Sequence, residues 1–589
     1  MRTVRFLLVF GLPPLVLQLA APVPRLDADA VEYFAHVRSL YFDHDLDFAD
    51  EFAHFGILTR GDKVRPTATG YRRTIFSVGP ALLWMPFYAA GDVAARLFGN
   101  ALEGYSPYHI RAVCLGSLAY GLAGLFLIFR VLEELFAATV AFWTSVLLLY
   151  ATFLFWYVVH EAAVSHAVSF FAAALVLAVW WRARRELRPG HALLLGLVLG
   201  LGATVRWQNG VLLLLPAATL LMDLRQKTWT TVRTALLVLA AFAVGALPQM
   251  LAWKAIFGQY LLADPPHGKD FLRLGHPYLL LTFFSSRHGL LYWTPVLWGG
   301  FLGFFLLFRR DRFTTLALAA PLLLMSYVNA CSGDWWAGGS YSNRRFDSVL
   351  PLLALGLGAS LAWVMEAVRR RPMRVAGAAG VAFVLWNQLL IVQYREKKIP
   401  ADDTVSFAAV AEYNAKVFGR YAGTPLAWPA NWIFARDHGL PAARYDLMAG
   451  KYLFYRQNNL GGLVKVGDGR ADPALFAGDW SPPAPCGEAT CREVLGRARV
   501  MAPLDVPEDL DVVVRAFGRG TLSMAVNGTE VASFPLETQP RGLRVRVPRR
   551  SWRRELNDVS LSVGPGGAAF VERVVFERTG ETLPGARSS

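Results

Sequence analysis

Apolar and polar residues alternate along this chain in long blocks. Eleven stretches, centred on 6–22, 109–130, 137–158, 164–181, 191–205, 210–222, 234–257, 290–308, 313–329, 347–365 and 375–393, are apolar almost throughout. A helix needs roughly 20 such residues to cross a bilayer core, so the pattern predicts a polytopic α-helical membrane protein of about eleven spans. The pattern changes after Tyr394. From Ala498 onward, Asp511–Val514, Thr521–Val526, Leu543–Val547 and Val559–Val563 run or alternate as strands, and Asn527-Gly528 is a hairpin signal. The chain therefore divides into a transmembrane domain over 1–394, a mixed connecting region over 395–497 and a β-sandwich-like domain over 498–589. A large loop over 23–108 follows the first span. Within it, Gly79–Tyr88 is apolar but short and punctuated by proline, which predicts an interfacial segment.

Charge sets the orientation. Arg2/Arg5, Arg182/Arg184/Arg185/Arg188, Arg225/Lys227/Arg233, Arg309/Arg310/Arg312 and Arg369/Arg370/Arg371/Arg374 occupy one alternating set of loops, which the positive-inside rule makes cytoplasmic. The N-terminus is then cytoplasmic, and an odd number of spans puts the C-terminus outside. Residues 1–22 also resemble a signal peptide; either way Asp29 emerges on the outer face.

Composition agrees with this reading. With 54% hydrophobic and 17% charged residues and a mean hydropathy of +0.36, the 589-residue chain is too apolar for a soluble protein. Its excess of 59 Lys+Arg over 44 Asp+Glu would point to nucleic acid in a soluble protein, but here it reads as topology. Of four cysteines, Cys114 and Cys331 lie in or beside apolar segments. Cys486 and Cys491 share the polar tail, where a disulfide is expected.

Acids just outside a span are ordinarily solvated loop charges. Asp29 is distinguished by its company: Tyr33 lies one turn further on the same helical face, followed by Arg38 and Leu40. Asp27, Glu32 and Asp45 are neighbouring acids able to supply a second carboxylate. Arg287, Arg344 and Arg345 fall in outward loops near helix ends, and Arg206 interrupts apolar sequence before Trp207-Gln208-Asn209. Arginines there either snorkel to the interface or bind phosphate through their planar fork. His160, Glu161 and His166 cluster beyond the third span, with His288, Trp335 and Trp336 in later outward loops. They are expected to line a cavity. A divalent metal is a minority reading for the histidine cluster, which lacks a tight His-Glu-x-x-His spacing. The chain has no phosphate-binding Gly-x-Gly-x-x-Gly after a strand and no Gly-Lys-Ser/Thr loop, so it carries no nucleotide-binding signature.

The order Asp29-x-x-x-Tyr33-x-x-x-x-Arg38-x-Leu40 after a first span, then Pro80–Tyr88, Leu97-Phe98-Gly99 and Arg111, resembles the first outer loop of GT-C membrane glycosyltransferases. Protein O-mannosyltransferases and aminoarabinose transferases of lipid A belong to that group. Arg38-Ser39-Leu40, Asp45–Phe48, Arg206–Asn209, Ser286–Leu290, Trp335–Ser340 and Arg344-Arg345-Phe346 are similar to runs in bacterial family 39-like members. The resemblance covers roughly residues 1–395. It implies a polyprenyl-phosphate sugar donor, an extracytoplasmic glycan, lipid or protein acceptor, and Asp29 as general base in a bacterial inner membrane. The chain departs from the family's common Asp-Glu pair by carrying Ala30 after Asp29, which leaves any second-acid role to Asp27, Glu32 or Asp45. The alternative from a different class is a transporter or flippase of lipid-linked saccharides. That reading favours polar residues near the midplane and repeated halves, whereas here the polar candidates gather at one face.

Overall fold

Helical structure occupies each of the eleven apolar stretches, as expected where backbone groups find no water and must bond within their own segment. The structure is a computed structural model and describes the chain apart from residues 1–2, 59–65, 100–102, 225–227, 263–270, 369–370, 449–451, 455–461, 467–474, 488 and 579–589. Arg2, Arg225, Lys227, Arg369 and Arg370 of the basic loops lie outside the described residues. Among the described residues six helices are long and apolar enough to cross a membrane: Pro107–Leu135, His166–Ala183, Trp229–Phe257, Arg312–Cys331, Leu350–Ala367 and Met373–Arg395. The other five stretches are shorter or interrupted. The second half of 137–158 is a separate short helix, Leu154–Val159, and 290–308 is split into Leu290–Trp293 and Leu297–Arg310 around Pro295. The protein is thus a multi-pass membrane protein, with six helices meeting the spanning criterion against about eleven expected.

Small residues decide how these helices pack. A Cβ added at Gly356 would lie 2.0 Å from the carbonyl oxygen of Gly300, and one added at Gly303 would lie 1.7 Å from that of Gly356. Leu297–Arg310 and Leu350–Ala367 therefore touch backbone to backbone, the device by which apolar helices gain contact where water supplies no hydrophobic drive. Gly356→Ala is expected to cost about 1–3 kcal/mol through overpacking and to lower the yield of monodisperse, detergent-extracted protein. Gly190→Ala, at a position with nothing within 4 Å of the added carbon, should extract like wild type; equal yields for both would contradict this packing.

The loop after the first helix is itself structured. Asp29–Arg38 forms a helix, and the segment expected to be a short interfacial piece is a continuous 20-residue helix, Gly79–Phe98, with Pro86 inside it. Gly79 sits against the backbone of Thr204, where a Cβ would meet the carbonyl at 2.4 Å. Arg38 ties this loop together, since it pairs with Asp43, reaches Glu51 Oε1 at 3.2 Å and donates from Nε to the Glu103 carbonyl at 3.0 Å.

Residues Met1–Asn414 and Ala415–Ser589 form two compact units, so the expected boundary at 394 falls later and the strands begin before 498. Among the described residues the second unit carries ten antiparallel strands: β1 Leu463–Lys465, β2 Phe476–Trp480, β3 Ala484–Cys486, β4 Ala489–Leu504, β5 Leu510–Arg519, β6 Thr521–Val526, β7 Thr529–Pro535, β8 Arg541–Val547, β9 Glu555–Val563 and β10 Ala568–Arg578. β4 is the link: its first half pairs with β10 at Arg492 and Glu493, and its second half pairs with β9 from Arg497 to Leu504. Alternating burial along β5 and β6 places Val512, Val514, Leu522 and Met524 in the core. The expected hairpin is present, with Asn527 at φ 51° and Gly528 at φ 85°, the left-handed pair that a tight two-residue turn requires.

The expected disulfide is not formed: Cys486 and Cys491 are free thiols. They sit diagonally across the β3–β4 ladder, Cys486 opposite Ala489 and Cys491 opposite Ala484, rather than directly facing. Burial, with the Cys486 thiol beside it, pushes the Cys491 thiol up to about 12. A maleimide at neutral pH should therefore label the half-exposed Cys486 and spare Cys491. Absence of label until a reductant is added would instead establish a bridge.

Candidate active site

Asp29 opens its helix from an unusual backbone position. The preceding Ala28 has φ 44° and ψ −122°, a conformation costly for a residue with a Cβ and one that tends to persist at functional sites. Asp27 supports this turn, its Oδ1 accepting the Ala28 N–H at 2.8 Å. One helical turn on, Tyr33 points the same way, and both side chains line a cavity of about 430 Å³ shared with Arg206, Asp334, Arg344 and Arg345.

Arg344 Nη2 lies 2.7 Å from Asp29 Oδ2, and the two side chains are 15% and 27% exposed. Burial alone would raise the Asp29 carboxyl; Arg344 foremost, then His166 and Arg206, reverse this and hold it below the usual carboxylate range. Asp29 is therefore held as an anion on the cavity wall. Behind it, Ser165 Oγ donates to Tyr33 Oη at 2.7 Å and accepts from Arg206 Nη1 at 3.1 Å. Burial pushes the Tyr33 phenol up to about 12, so it stays neutral. His166 Nδ1 lies 2.7 Å from Asp347 Oδ2, with Arg206 Nε 3.7 Å from the same oxygen. Arg345 is held differently: its Nη2 meets both oxygens of Asp334 at 2.6 and 2.7 Å, and its Nη1 donates to the Asp334 carbonyl at 2.8 Å. Ala337 and Gly338, both at φ 70°, bring backbone onto the same wall.

No family model matches the chain, and no curated protein matches it. Solved structures do. ArnT from Cupriavidus metallidurans bound to undecaprenyl phosphate is similar at 14% identity and a TM-score of 0.40, over 71% of this chain and 76% of that one. Arabinosyltransferase EmbB from Mycobacterium smegmatis is similar at 12% identity and 0.38, over 97% of this chain and 64% of that one. The oligosaccharyltransferase AglB from Archaeoglobus fulgidus, in complex with an inhibitory peptide and a dolichol-phosphate, is similar at 12% identity and 0.39, over 75% and 59%. All three are GT-C membrane glycosyltransferases. With TM-scores below 0.5, the functional reading rests on the cavity's own geometry.

Of the residues expected from sequence, Asp29, Tyr33, Arg206, Arg344 and Arg345 meet on the cavity wall. The others have different occupations. Asp27 is exposed and serves the turn. Glu32 is buried and accepts from Thr74 Oγ1 at 2.9 Å. Asp45 accepts from Ser39 Oγ at 2.8 Å and from the Asp47 N–H at 3.0 Å, shaping its loop. His160 packs against Trp156 at 5.1 Å, and burial, with Arg395 nearby, pushes it down to about 4. Glu161 accepts from Trp156 Nε1 at 2.7 Å, and burial raises its carboxyl. His166 stands behind Arg206 rather than on the wall. His288 is buried against Trp293 and donates from Nδ1 to the Trp336 carbonyl at 3.0 Å. The Trp336 ring lies 3.7 Å beneath the Arg287 guanidinium, whose Nη2 pairs with Asp402 at 2.8 Å. Trp335 packs edge-on to Trp336, and its carbonyl accepts from Asn343. Among the described residues no three His, Cys, Asp or Glu side chains gather to hold a metal ion. Sequence reasoning missed Asp334 and Asp347. Asp334 had a signal, since it shares the short loop that carries Arg344 and Arg345; Asp347, at the head of an apolar stretch, had none.

Proposed function

We propose that the protein is a membrane glycosyltransferase that moves a sugar from a polyprenyl-phosphate carrier to an extracytoplasmic acceptor. The observation that carries this reading is the Asp29–Arg344 pair at 2.7 Å on the cavity wall. Transfer from a lipid phosphate requires a base for the acceptor proton and a cation for the departing phosphate, and this pair holds both groups together. Donor phosphate engages Arg344, and as that guanidinium turns from Asp29 the carboxylate becomes more basic. The acceptor hydroxyl oxygen then bonds to the anomeric carbon and gives its proton to Asp29. The bond from that carbon to the phosphate oxygen breaks, and the phosphate leaves with the electron pair. Arg206 supplies a second cation from the cavity wall, and the neutral Tyr33 phenol orients it through Ser165.

A separate apolar groove of about 680 Å³, lined by Phe284, Trp298, Phe383, Trp386 and Phe407 among others, is suited to a hydrocarbon chain. The test is to incubate the reconstituted protein with a panel of polyprenyl-phosphate sugars and read the products by mass spectrometry. Release of sugar-free carrier together with a glycosylated acceptor supports the reading. Movement of intact lipid-linked sugar between leaflets, with no bond broken, contradicts it in favour of a transporter.

A further inference from the structure

Asp347 is 1% exposed, and its Oδ1 has no hydrogen-bond partner. A buried carboxylate with one bare oxygen is costly, and its surroundings show what it holds. Its other oxygen takes the His166 bond at 2.7 Å and lies 3.7 Å from Arg206 Nε, which is itself buried without a hydrogen-bond partner. Arg206 Nη1 is tied to Ser165 Oγ at 3.1 Å and lies 3.3 Å from His166 Nδ1. The guanidinium is thus flanked from behind by Asp347, His166 and Ser165, of which Ser165 gives the direct hydrogen bond and is itself bonded to Tyr33. Its remaining surface faces the cavity.

Burial, offset first by Arg206 and then by His166, leaves the Asp347 carboxyl below its ordinary value, consistent with a permanent anion. The pair is loose, however. At 3.7 Å the Nε–Oδ2 contact is attractive without being a hydrogen bond, so the guanidinium is oriented by charge and left able to shift toward an incoming anion. Its neighbours Arg344 and Arg345 each have a carboxylate in direct contact, at 2.7 and 2.6 Å. Arg206 is the cavity arginine whose carboxylate stands back.

We infer that Asp347 is a positioning residue that aims the Arg206 guanidinium into the cavity as an anion receptor for the phosphate of a lipid carrier. This rests on the phosphate reading of the cavity given above, and it adds that recognition is set by an acid that never touches the ligand.

The test is equilibrium binding of undecaprenyl phosphate to the purified full-length protein, followed together with the melting temperature. Asp347→Asn keeps the shape but removes the charge, and is expected to weaken binding by about tenfold. Arg206→Lys alone should weaken it similarly, and the double variant should be no weaker than Arg206→Lys, because two residues acting through one guanidinium are not additive. Asp347→Glu keeps the charge but displaces the guanidinium, and should lose about threefold with the same non-additivity; this variant decides the question if Asp347→Asn fails to fold. Wild-type-like binding by the Asp347 variants, or losses that add to that of Arg206→Lys, overturns the inference alone. A wild-type protein that binds no undecaprenyl phosphate overturns the phosphate reading and this inference with it.

Discussion

Asp29→Asn is expected to lower transfer by about 10²–10⁴-fold, the range for loss of a positioned general base, without lowering the amount of protein in the membrane. The amide keeps the size of the carboxyl and its contact with Arg344, but takes up no proton. The same substitution frees Arg344 from its counter-ion at 2.7 Å, so undecaprenyl phosphate should bind at least as tightly as it does to wild type. This divergence separates a base from a binding residue: loss of turnover accompanied by loss of binding would point to misfolding or a purely ionic role. Near-normal turnover would remove Asp29 from the reaction. Asp27 is then no ready substitute, since it is exposed and its Oδ1 is committed to the turn at Ala28.

The second large effect is expected at Arg344. Removing one group that stabilises developing charge typically costs about 10²–10³-fold, and Arg344→Gln should show this in kcat/KM for the donor. Arg344→Lys retains the charge but loses the planar fork, and should fall between the two. The pH profile adds a sign. In the wild type Arg344 is foremost among the groups holding the Asp29 carboxyl below its ordinary value against burial, so the acid limb lies lower than for a free aspartate. In Arg344→Gln the largest part of that opposition is lost, with His166 and Arg206 still acting against burial, and the acid limb moves upward. The same depression means that the stability contributed by the ionised Asp29 is present above the unfolded aspartate value and is lost as pH falls through the lower folded value. An unshifted acid limb with unchanged donor KM would contradict both roles of Arg344.

The helical architecture was legible because a bilayer segment announces itself by length and lack of charge. What composition did not reveal was where a stretch breaks, as between Trp293 and Leu297, or how Gly300, Gly303 and Gly356 let two helices meet through their backbones. In the tail, alternation and Asn527-Gly528 marked β5, β6, β8 and β9, while β4, whose first half pairs with β3 and β10, was not among the expected strands. The site divides along the same line. Asp29 and Tyr33 were readable because helical spacing fixes relative direction within one element. Arg344 was readable as a cation near a helix end, but Arg345, next to it, is committed to Asp334. Glu161 and His288 lie in the expected loops yet bond to Trp156 and to the Trp336 carbonyl, while His160 packs on Trp156 and the Trp336 ring on Arg287, pairings that neighbourhood in sequence does not determine. Asp347 was invisible for the converse reason: an acid following Arg-Arg-Phe reads as a loop charge until the fold buries it beside His166.

The most direct measurement is an experimental structure of the protein with undecaprenyl phosphate bound. The phosphate is expected within hydrogen-bonding distance of Arg344 and Arg206, in the cavity of about 430 Å³, with the Asp29–Arg344 pair opened and the Asp29 carboxylate facing the vacated space. A phosphate seated away from this cavity, with Asp29 still bonded to Arg344, would contradict the assignment of base and cation to this pair.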